Sequence, residues 1–599
     1  MQARIFCEKR SKHPGSYERL VITMLKLIPQ PKQTKITEGF LSIPNKPDII
    51  LYSPKQDDRL VSALLKIWPD VIIRCEASEF YNIKIGDTST GSPPEHLEGY
   101  FLNIQTAGLG LASLSAAGLF YGIQTLKQLV RNGDILCGTV TDWPDRDIRA
   151  MYLDLKQTFP KFDLLLSYID NLAEVKTNAL VIEYEDKLPF RRHHELRHPK
   201  FALSDEQFAQ LKETAQNNFI EIIPLQQCFG HLEYLLKHTK YRDLRETENA
   251  IGELCPCKSE SGKLVHELLK DVMDLHPDSR YVHIGCDEVW SLCSCPTCKK
   301  RYEGKKGSAF IEFVNPLIEL VCARGKTPVL WHDMLAGCTD EELKSLDKRA
   351  LVLIWIYHTR TVNQDAAASA KRFRALDINV AGGSAVRCND RMETQDYPKV
   401  SDRVRNIKEW EVAADSLGIG FMLATNWATS FAMGSPYGIF ETSFYTMYLA
   451  SESHWNTNAD TETFLQRFLS VFHGIDIDSE KLLNTRTEDY YVLMPSLSAQ
   501  AVLHCDIADH LKIVVEGMHR AAESSDFLLY RHDMYHDSEG DMVSLRSRAN
   551  MCLDAYNEGK EKLYASLLRF LPPEMTDIYM GARCFYHDFL IQNFYSRLI

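Results

Sequence analysis

Several features are missing from this 599-residue sequence, and each absence removes a class of protein. Residues 1–20 lack the unbroken apolar segment of a secretory signal peptide. The one long charge-free stretch, residues 99–126, is interrupted by Asn103, Gln105, Thr106, Ser113, Ser115, Gln124 and several glycines. It reads as a strand, a turn and a buried helix rather than a membrane span. No glycine-rich phosphate loop, internal repeat or low-complexity tract is present. Excess positive charge is missing too: 68 Lys and Arg face 81 Asp and Glu, a net charge of −13. That balance argues against nucleic acid as a partner. The expectation is a soluble, cytoplasmic protein without a membrane partner, whose sixteen cysteines are mostly free thiols in a reducing compartment.

With 45% hydrophobic and 25% charged residues, the composition is that of an ordinary globular protein. Eight short apolar runs rich in β-branched and aromatic residues stand at 148–155, 178–184, 220–227, 280–285, 327–333, 351–357, 378–384 and 419–427. Continuous apolar runs suit strands buried on both faces, as in a parallel sheet. Helical patterns separate most of them. Ser204 with Gln207 and Thr339 with Glu342 read as capping boxes, and Pro316 predicts a weak or kinked helix over 309–324. The alternation predicts an α/β fold, a (β/α)8 TIM barrel, with a doubly wound open sheet as the competing architecture. A small N-terminal α/β domain is expected over 1–142, the barrel over 143–472, and a helical C-terminal region over 473–599, with helix-like stretches at 502–525 and 541–570.

A barrel of this kind carries its active site at the C-terminal strand ends. Those ends offer Asp154 and Lys156, Glu183 to Asp186, Gln226 and Gln227 with His231, Asp287 and Glu288, Trp331 with Asp333, Trp355 with Tyr357, and Trp427. Tryptophan faces cover the apolar side of a pyranose, while carboxylates hold hydroxyls and move protons. Any one tryptophan reads equally as barrel core. Three beside carboxylates at one rim point to a sugar site. By itself Asp287-Glu288 reads as a solvated acidic loop. Its flanks change that reading.

The segment Tyr281-Val282-His283-Ile284-Gly285-Cys286-Asp287-Glu288-Val289-Trp290 resembles the active-site signature of family 20 glycoside hydrolases, the β-N-acetylhexosaminidases, and is most like the hexosaminidase D branch. Leu153-Asp154-Leu155-Lys156, Ile182-Glu183-Tyr184-Glu185-Asp186, the run from Ile223 to Glu233, and that from Leu235 to Thr239 carry the same resemblance in the same order, over roughly residues 145–430. The block from Ala117 to Leu126 resembles the small α/β domain that precedes the barrel in many members. The resemblance implies a retaining exo-acting enzyme that removes terminal β-linked GalNAc or GlcNAc by substrate-assisted catalysis, through an oxazolinium intermediate and without a cofactor. It implies that Glu288 is the general acid/base and that Asp287 holds the acetamido N–H. His231 tunes the pair. Trp331, Trp355 and Trp427 wall the pocket. Lys156, Glu185, Gln227, Asp333 and Tyr357 are further expected substrate-binding residues.

The sequence departs from better-known members at several positions. Lys156 and Gln157 stand where an arginine holds sugar hydroxyls, and a lysine is a point charge rather than a planar fork. Gln227 replaces an aspartate, and Thr429 a glutamate. No tyrosine follows the seventh run, so Tyr357 is the expected partner of the acetamido oxygen. These changes leave the chemistry and open the choice of sugar. A second cluster, Cys293, Cys295 and Cys298 with Cys255 and Cys257, has the donor types and spacing of a structural zinc site, with free thiols as the simpler reading. The competing functional readings are a catalytically inactive glycan-binding protein on the same barrel and an interaction protein whose C-terminal helices form a homodimer.

Overall fold

The computed structural model describes residues 26–598 except 53–56, 75–82, 131–133, 157, 359–360, 389–397, 429–438 and 475–538. The helical reading of 502–525, together with Gln157 and Thr429, lies outside the described residues. The chain divides into two compact units: residues 1–143 with 459–477, and residues 144–458 with 478–599.

The first unit is built on a seven-stranded mixed sheet. Its strands are β1 (Gln33–Leu41), β2 (Asp48–Leu51), β3 (Ile72–Arg74), β4 (Ile83–Ile85), β5 (Tyr100–Gln105), β6 (Gly108–Ser113) and β7 (Ile135–Asp142), in the order β1-β7-β5-β6-β4-β2-β3. The charge-free stretch becomes the β5–β6 hairpin followed by the helix Ala116–Val130. Tyr100, Leu102 and Ile104 alternate inward, and the helix is buried over most of its length. No described helix is long and apolar enough to cross a membrane. The helix Phe464–His473 belongs to this unit: Arg467 Nη1 donates to the Leu27 carbonyl at 3.0 Å, and the Asp460 amide donates to Gln30 Oε1 at 2.6 Å.

All eight apolar runs become strands of one closed parallel barrel. These are β8 (Ile148–Asp154), β9 (Ala179–Glu183), β10 (Glu221–Leu225), β11 (Tyr281–His283), β12 (Thr327–Trp331), β13 (Leu351–Trp355), β14 (Asn379–Arg387) and β15 (Phe421–Asn426). Sequential strands are neighbours, and β15 closes on β8. Alternate residues point inward, as the period of a strand requires. Ile148, Ala150 and Tyr152, Ala179 and Val181, Ile223 and Leu225, Val329 and Trp331 fill the interior with Leu353, Ala381 and Leu423. The barrel is therefore a packed core whose upper layer is aromatic.

Both capping boxes form, at Ser204/Gln207 and Thr339/Glu342. The helix Lys306–Cys322 runs through Pro316. A mid-helix proline costs roughly 3 kcal/mol. Phe310, Phe313, Val314, Leu317 and Ile318 are buried along that helix, and each buried side chain of this size returns about 1.5–3 kcal/mol. Packing therefore outweighs the break that local chemistry predicts. In the second unit the helices Glu539–Leu567 and Pro573–Leu598 form the C-terminal hairpin, and the Lys161 amide donates to the Phe570 carbonyl at 2.9 Å.

Four described histidines of this unit are buried neutral. Burial pushes His276, His283 and His454 each down to about 3 from 6.5, and His332 to about 4. His276 hydrogen-bonds the Val272 carbonyl through Nδ1 (2.9 Å) and the Tyr184 hydroxyl through Nε2 (3.2 Å). The unfolded chain takes up protons near 6.5 while the fold refuses them down to about 4 or 3, so their contribution to stability is complete above pH 6.5 and is lost as pH falls below it. The thermal midpoint should drop between pH 6.5 and about pH 5, where most carboxylates remain ionised. A His276→Gln variant should show a shallower drop, and an invariant midpoint across that window would contradict the buried neutral state.

Candidate active site

The C-terminal rim of the barrel gathers the site. β8 and β9 pair with Asp154 opposite Glu183, so two carboxylates end adjacent strands side by side. Lys156 enters between them. Its ammonium lies 2.8 Å from Glu183 Oε2 and 3.5 Å from Asp154 Oδ2, and 4.6 Å above the Trp427 ring. Burial works against its charge, but Asp154, Glu183 and Glu185 outweigh burial and hold it firmly protonated. Asp154 is tied in place by accepting from the Lys156 and Ala428 amides at 2.9 Å each. The Tyr152 hydroxyl donates to Glu183. One lysine cannot neutralise three carboxylates. Burial and the mutual repulsion of the acids push Glu185 well above the carboxylate range and raise Glu183. Glu185 Oε1 is buried and has no hydrogen-bond partner among the described residues.

Asp287 and Glu288 follow β11 on a tightly bent loop. Gly285 (φ +64°), Cys286 (+69°) and Glu288 (+50°) all adopt the left-handed region. Non-glycine residues there are sparsely populated and persist only where the surroundings enforce them. Here Gln227 does so: its Oε1 accepts the Cys286 amide at 3.2 Å and sits 1.9 Å from where a Cβ on residue 285 would stand. The bend turns two adjacent side chains toward one histidine. His231 Nε2, itself on a residue at φ +53°, lies 3.4 Å from Asp287 Oδ2 and 3.3 Å from Glu288 Oε2.

The two carboxyls sit in different environments. Asp287 is buried, whereas the Glu288 side chain is 28% exposed. Burial alone would raise Asp287, but His231, and Lys156 behind it, hold it below its ordinary value. Unit charges at the His231–Asp287 distance of 3.4 Å attract by on the order of 5 kcal/mol at an effective dielectric of about 20. That is enough to keep the pair ionised, and burial of His231 is likewise overcome by the two acids, which raise it well above 6.5. Asp287 Oδ1 is buried and has no hydrogen-bond partner among the described residues. Asp333 accepts the Glu288 amide (2.9 Å) and the Trp355 indole N–H (3.4 Å). Burial and the Asp287 charge push Asp333 up to about 7.

The tryptophans divide between core and wall. Trp331 is fully buried in the barrel interior, while Trp355 and Trp427 are partly exposed above it. Trp331 and Trp427 meet at 5.9 Å, Trp355 stacks on Tyr357 at 5.0 Å, and the Trp427 indole N–H donates to the Tyr357 hydroxyl at 3.4 Å. The structure thus brings Lys156, Glu185, Gln227, His231, Asp287, Glu288, Trp331, Asp333, Trp355, Tyr357 and Trp427 to one rim. Lys156 serves there as a counter-ion in the floor, and Gln227 as a brace of the bent loop. Asp154 and Glu183, visible in the sequence only as strand-end acids, carry that floor.

The cysteine cluster gathers on the far side of the same loops. Cys255, Cys295 and Cys298 come together with Glu246, one donor atom of each lying within 4.8 Å of the others. Glu246 was not foreseen. Its signal is absent from local spacing, since it lies nine positions before Cys255 and is brought in by the backbone pairing of Arg245 with Leu254. Of the five cysteines expected there, Cys293, which is buried, and Cys257, which is partly exposed, are not donors in this group.

The burial difference separates the roles of the tryptophans. Trp331→Ala should destabilise the fold by about 3–5 kcal/mol. Trp355→Ala should leave the unfolding midpoint nearly unchanged and weaken sugar binding. Equal losses of stability in the two variants would refute the division.

The family profile described as "Glycosyl hydrolase family 20, catalytic domain" matches residues 147–378, and that described as "Glycosyl hydrolase family 20, domain 2" matches residues 24–143, together more than half of the chain. Hexosaminidase D of Bos taurus is 29% identical over 277 residues, 45% of this chain and 80% of that protein. Hexosaminidase D of Homo sapiens is 29% identical over 276 residues, 45% of this chain and 57% of that protein. The N-acetyl-β-hexosaminidase of Streptomyces plicatus, solved with Thio-NAglucal, superposes with a TM-score of 0.60 at 21% identity, covering 76% of this chain and 97% of that one. At that identity the likeness speaks for the fold. The two profile matches, the hexosaminidase D relatives and the barrel with its preceding α/β unit agree, and the chain belongs to glycosyl hydrolase family 20 as a glycoside hydrolase of β-N-acetylhexosaminidase type.

Proposed function

We propose that this chain is a retaining exo-β-N-acetylhexosaminidase that releases terminal β-linked GalNAc or GlcNAc, with the substrate's own 2-acetamido group as nucleophile. The observation that carries this is the unequal pair: a buried, ionised Asp287 with Oδ1 unpartnered among the described residues, beside a partly exposed Glu288, both on His231 Nε2. Asp287 Oδ1 accepts the acetamido N–H, aligns the carbonyl oxygen on the anomeric carbon and balances the positive charge that the oxazolinium ring acquires. Glu288 gives its proton to the glycosidic oxygen as the C–O bond breaks. It then takes a proton from the water that opens the ring from the side the leaving group vacated. Two displacements at the anomeric carbon give retention. His231, held as an imidazolium, keeps Asp287 charged while Glu288 changes protonation. Trp355 and Trp427 cover the apolar face of the sugar, Tyr357 donates to the acetamido oxygen, and Glu185 Oε1 takes a sugar hydroxyl. The hexosaminidase D relatives support a hexosamine as the sugar class.

Glu288→Gln should lower kcat/KM on unactivated β-acetamido glycosides by roughly 10²-fold or more, with a smaller loss on aryl glycosides whose leaving group needs no proton. Asp287→Asn should depress both substrate types. A thiazoline that mimics the cyclised intermediate should compete with substrate in the wild-type enzyme. Full activity of Glu288→Gln on poor leaving groups would overturn the acid. Sugar binding without turnover would select the glycan-binding reading.

A second copy of the chain is the partner that the C-terminal hairpin supports. Met551, Ile578, Phe585 and Phe589 are all more than half exposed on its two helices. Sedimentation should give twice the chain mass, and replacing Phe585 and Phe589 by Ser should return it to the monomer. A wild-type monomer at micromolar concentration would remove this reading.

A further inference from the structure

The cysteine cluster takes no part in glycoside hydrolysis, yet it is built between the two loops that carry the chemistry. The loop after β10 presents His231 and continues to Cys255 and Cys257. The loop after β11 presents Asp287 and Glu288 and continues to Cys295 and Cys298. The Sγ atoms of Cys255 and Cys295 are 3.7 Å apart, and those of Cys255 and Cys298 are 3.4 Å apart. Both separations far exceed a disulfide bond of about 2.05 Å. A tetrahedral zinc with Zn–S bonds of about 2.3 Å sets its sulfurs about 3.8 Å apart, close to both values. The Cys298 thiol also meets that of Cys257. Glu246 Oε1 accepts the Cys295 amide at 2.9 Å, while its Oε2 lies 3.4 Å from Cys298 Sγ. Four donors, the thiols of Cys255, Cys295 and Cys298 and a Glu246 carboxylate oxygen, lie within 4.8 Å of one another, and Cys257 stands beside Cys298 outside that group. Thiolate suits zinc better than a carboxylate that already holds a backbone N–H, which leaves Glu246 as the group that orients the Cys295 turn.

We propose that Cys255, Cys257, Cys295 and Cys298 bind one structural zinc ion that locks the loop carrying His231 to the loop carrying Asp287 and Glu288. Zinc binding replaces each thiol S–H bond by a Zn–S bond and releases the thiol protons to solvent, with no redox change. Such a lock would act on strained backbone: Cys286, Glu288 and His231 are held at positive φ. It would add to the ties already present between the two loops, among them the Cys286 amide on Gln227 Oε1 (3.2 Å), the Ser291 amide and hydroxyl on Glu253 Oε2 (2.7 and 2.6 Å) and the Cys295 amide on Glu246.

The test is the metal content of the whole chain, purified from zinc-supplemented culture and dialysed exhaustively against metal-free buffer. Elemental analysis should find about one zinc per chain. Titration of the thiols with a mercurial should release it in step with modification, whether or not any variant folds. Cys257→Ser and Cys298→Ser should each lower retained zinc at least tenfold, while Cys293→Ser should retain it. In the wild-type protein, zinc release should lower the thermal midpoint and kcat while leaving the barrel's far-ultraviolet circular dichroism in place. Less than about a tenth of a zinc per chain in folded wild-type protein would overturn the site. Full retention in Cys257→Ser with loss in Glu246→Gln would overturn the four-thiolate set. These readouts are independent of whether the sugar or the acid residue has been assigned correctly.

Discussion

The active site depends on keeping one buried carboxylate charged. Asp287 lies under the barrel rim, where burial alone would protonate it. His231 at 3.4 Å and Lys156 behind it reverse that outcome. Much of the rim follows from this requirement. Lys156 needs Asp154 and Glu183 to hold it, and burial together with the Glu183 charge pushes Glu185 toward its neutral form. Asp333, adjoining the same charge, is driven to about 7. Burial and neighbouring charges together sort the rim into charged and neutral members, and a proton donor needs such a division close to an anion.

The barrel supplies the positions and the bent loops supply the directions. Parallel strands in sequential order deliver Asp154, Glu183, Gln227, Trp331 and Trp355 to one end without any long-range coincidence. Adjacent residues on a strand face opposite ways, so Asp287 and Glu288 share a partner only because the chain leaves the strand at His283 and turns through left-handed residues. The aromatic layer beneath them does two things: Trp331 closes the core, and the rings above it present an apolar face to a sugar.

Stability and chemistry are coupled through the same connections. The loops after β10 and β11 are long, so they lose more conformational entropy on ordering than the strands that launch them, and buried side chains such as Phe229, Leu232, Leu235, Leu254 and Leu292 anchor them. Hydrogen bonds from amides of one loop to carboxylates of the other tie the two together. The helix through Pro316 illustrates the same priority of packing over local preference: the buried face keeps a helix that proline would otherwise end.

The linear order of residues determined the architecture. Eight continuous apolar runs separated by amphipathic helices have few other ways to bury both faces of a strand, and the capping boxes at Ser204 and Thr339 mark helix starts by purely local hydrogen bonds. The tryptophans stood out as strand-end residues, whereas the acid pair and the histidine were legible only through the resemblance carried by their flanks. What each polar residue does was decided by the tertiary structure. Lys156, expected at the sugar, is a counter-ion because two strands in register set Asp154 beside Glu183. Gln227 became a brace because Gly285 leaves room for it. Glu246 joined the cysteines through a backbone pairing of Arg245 with Leu254. Sequence spacing reports local geometry and periodicity, whereas charge state and partnership depend on distances between segments that only the closed barrel brings together.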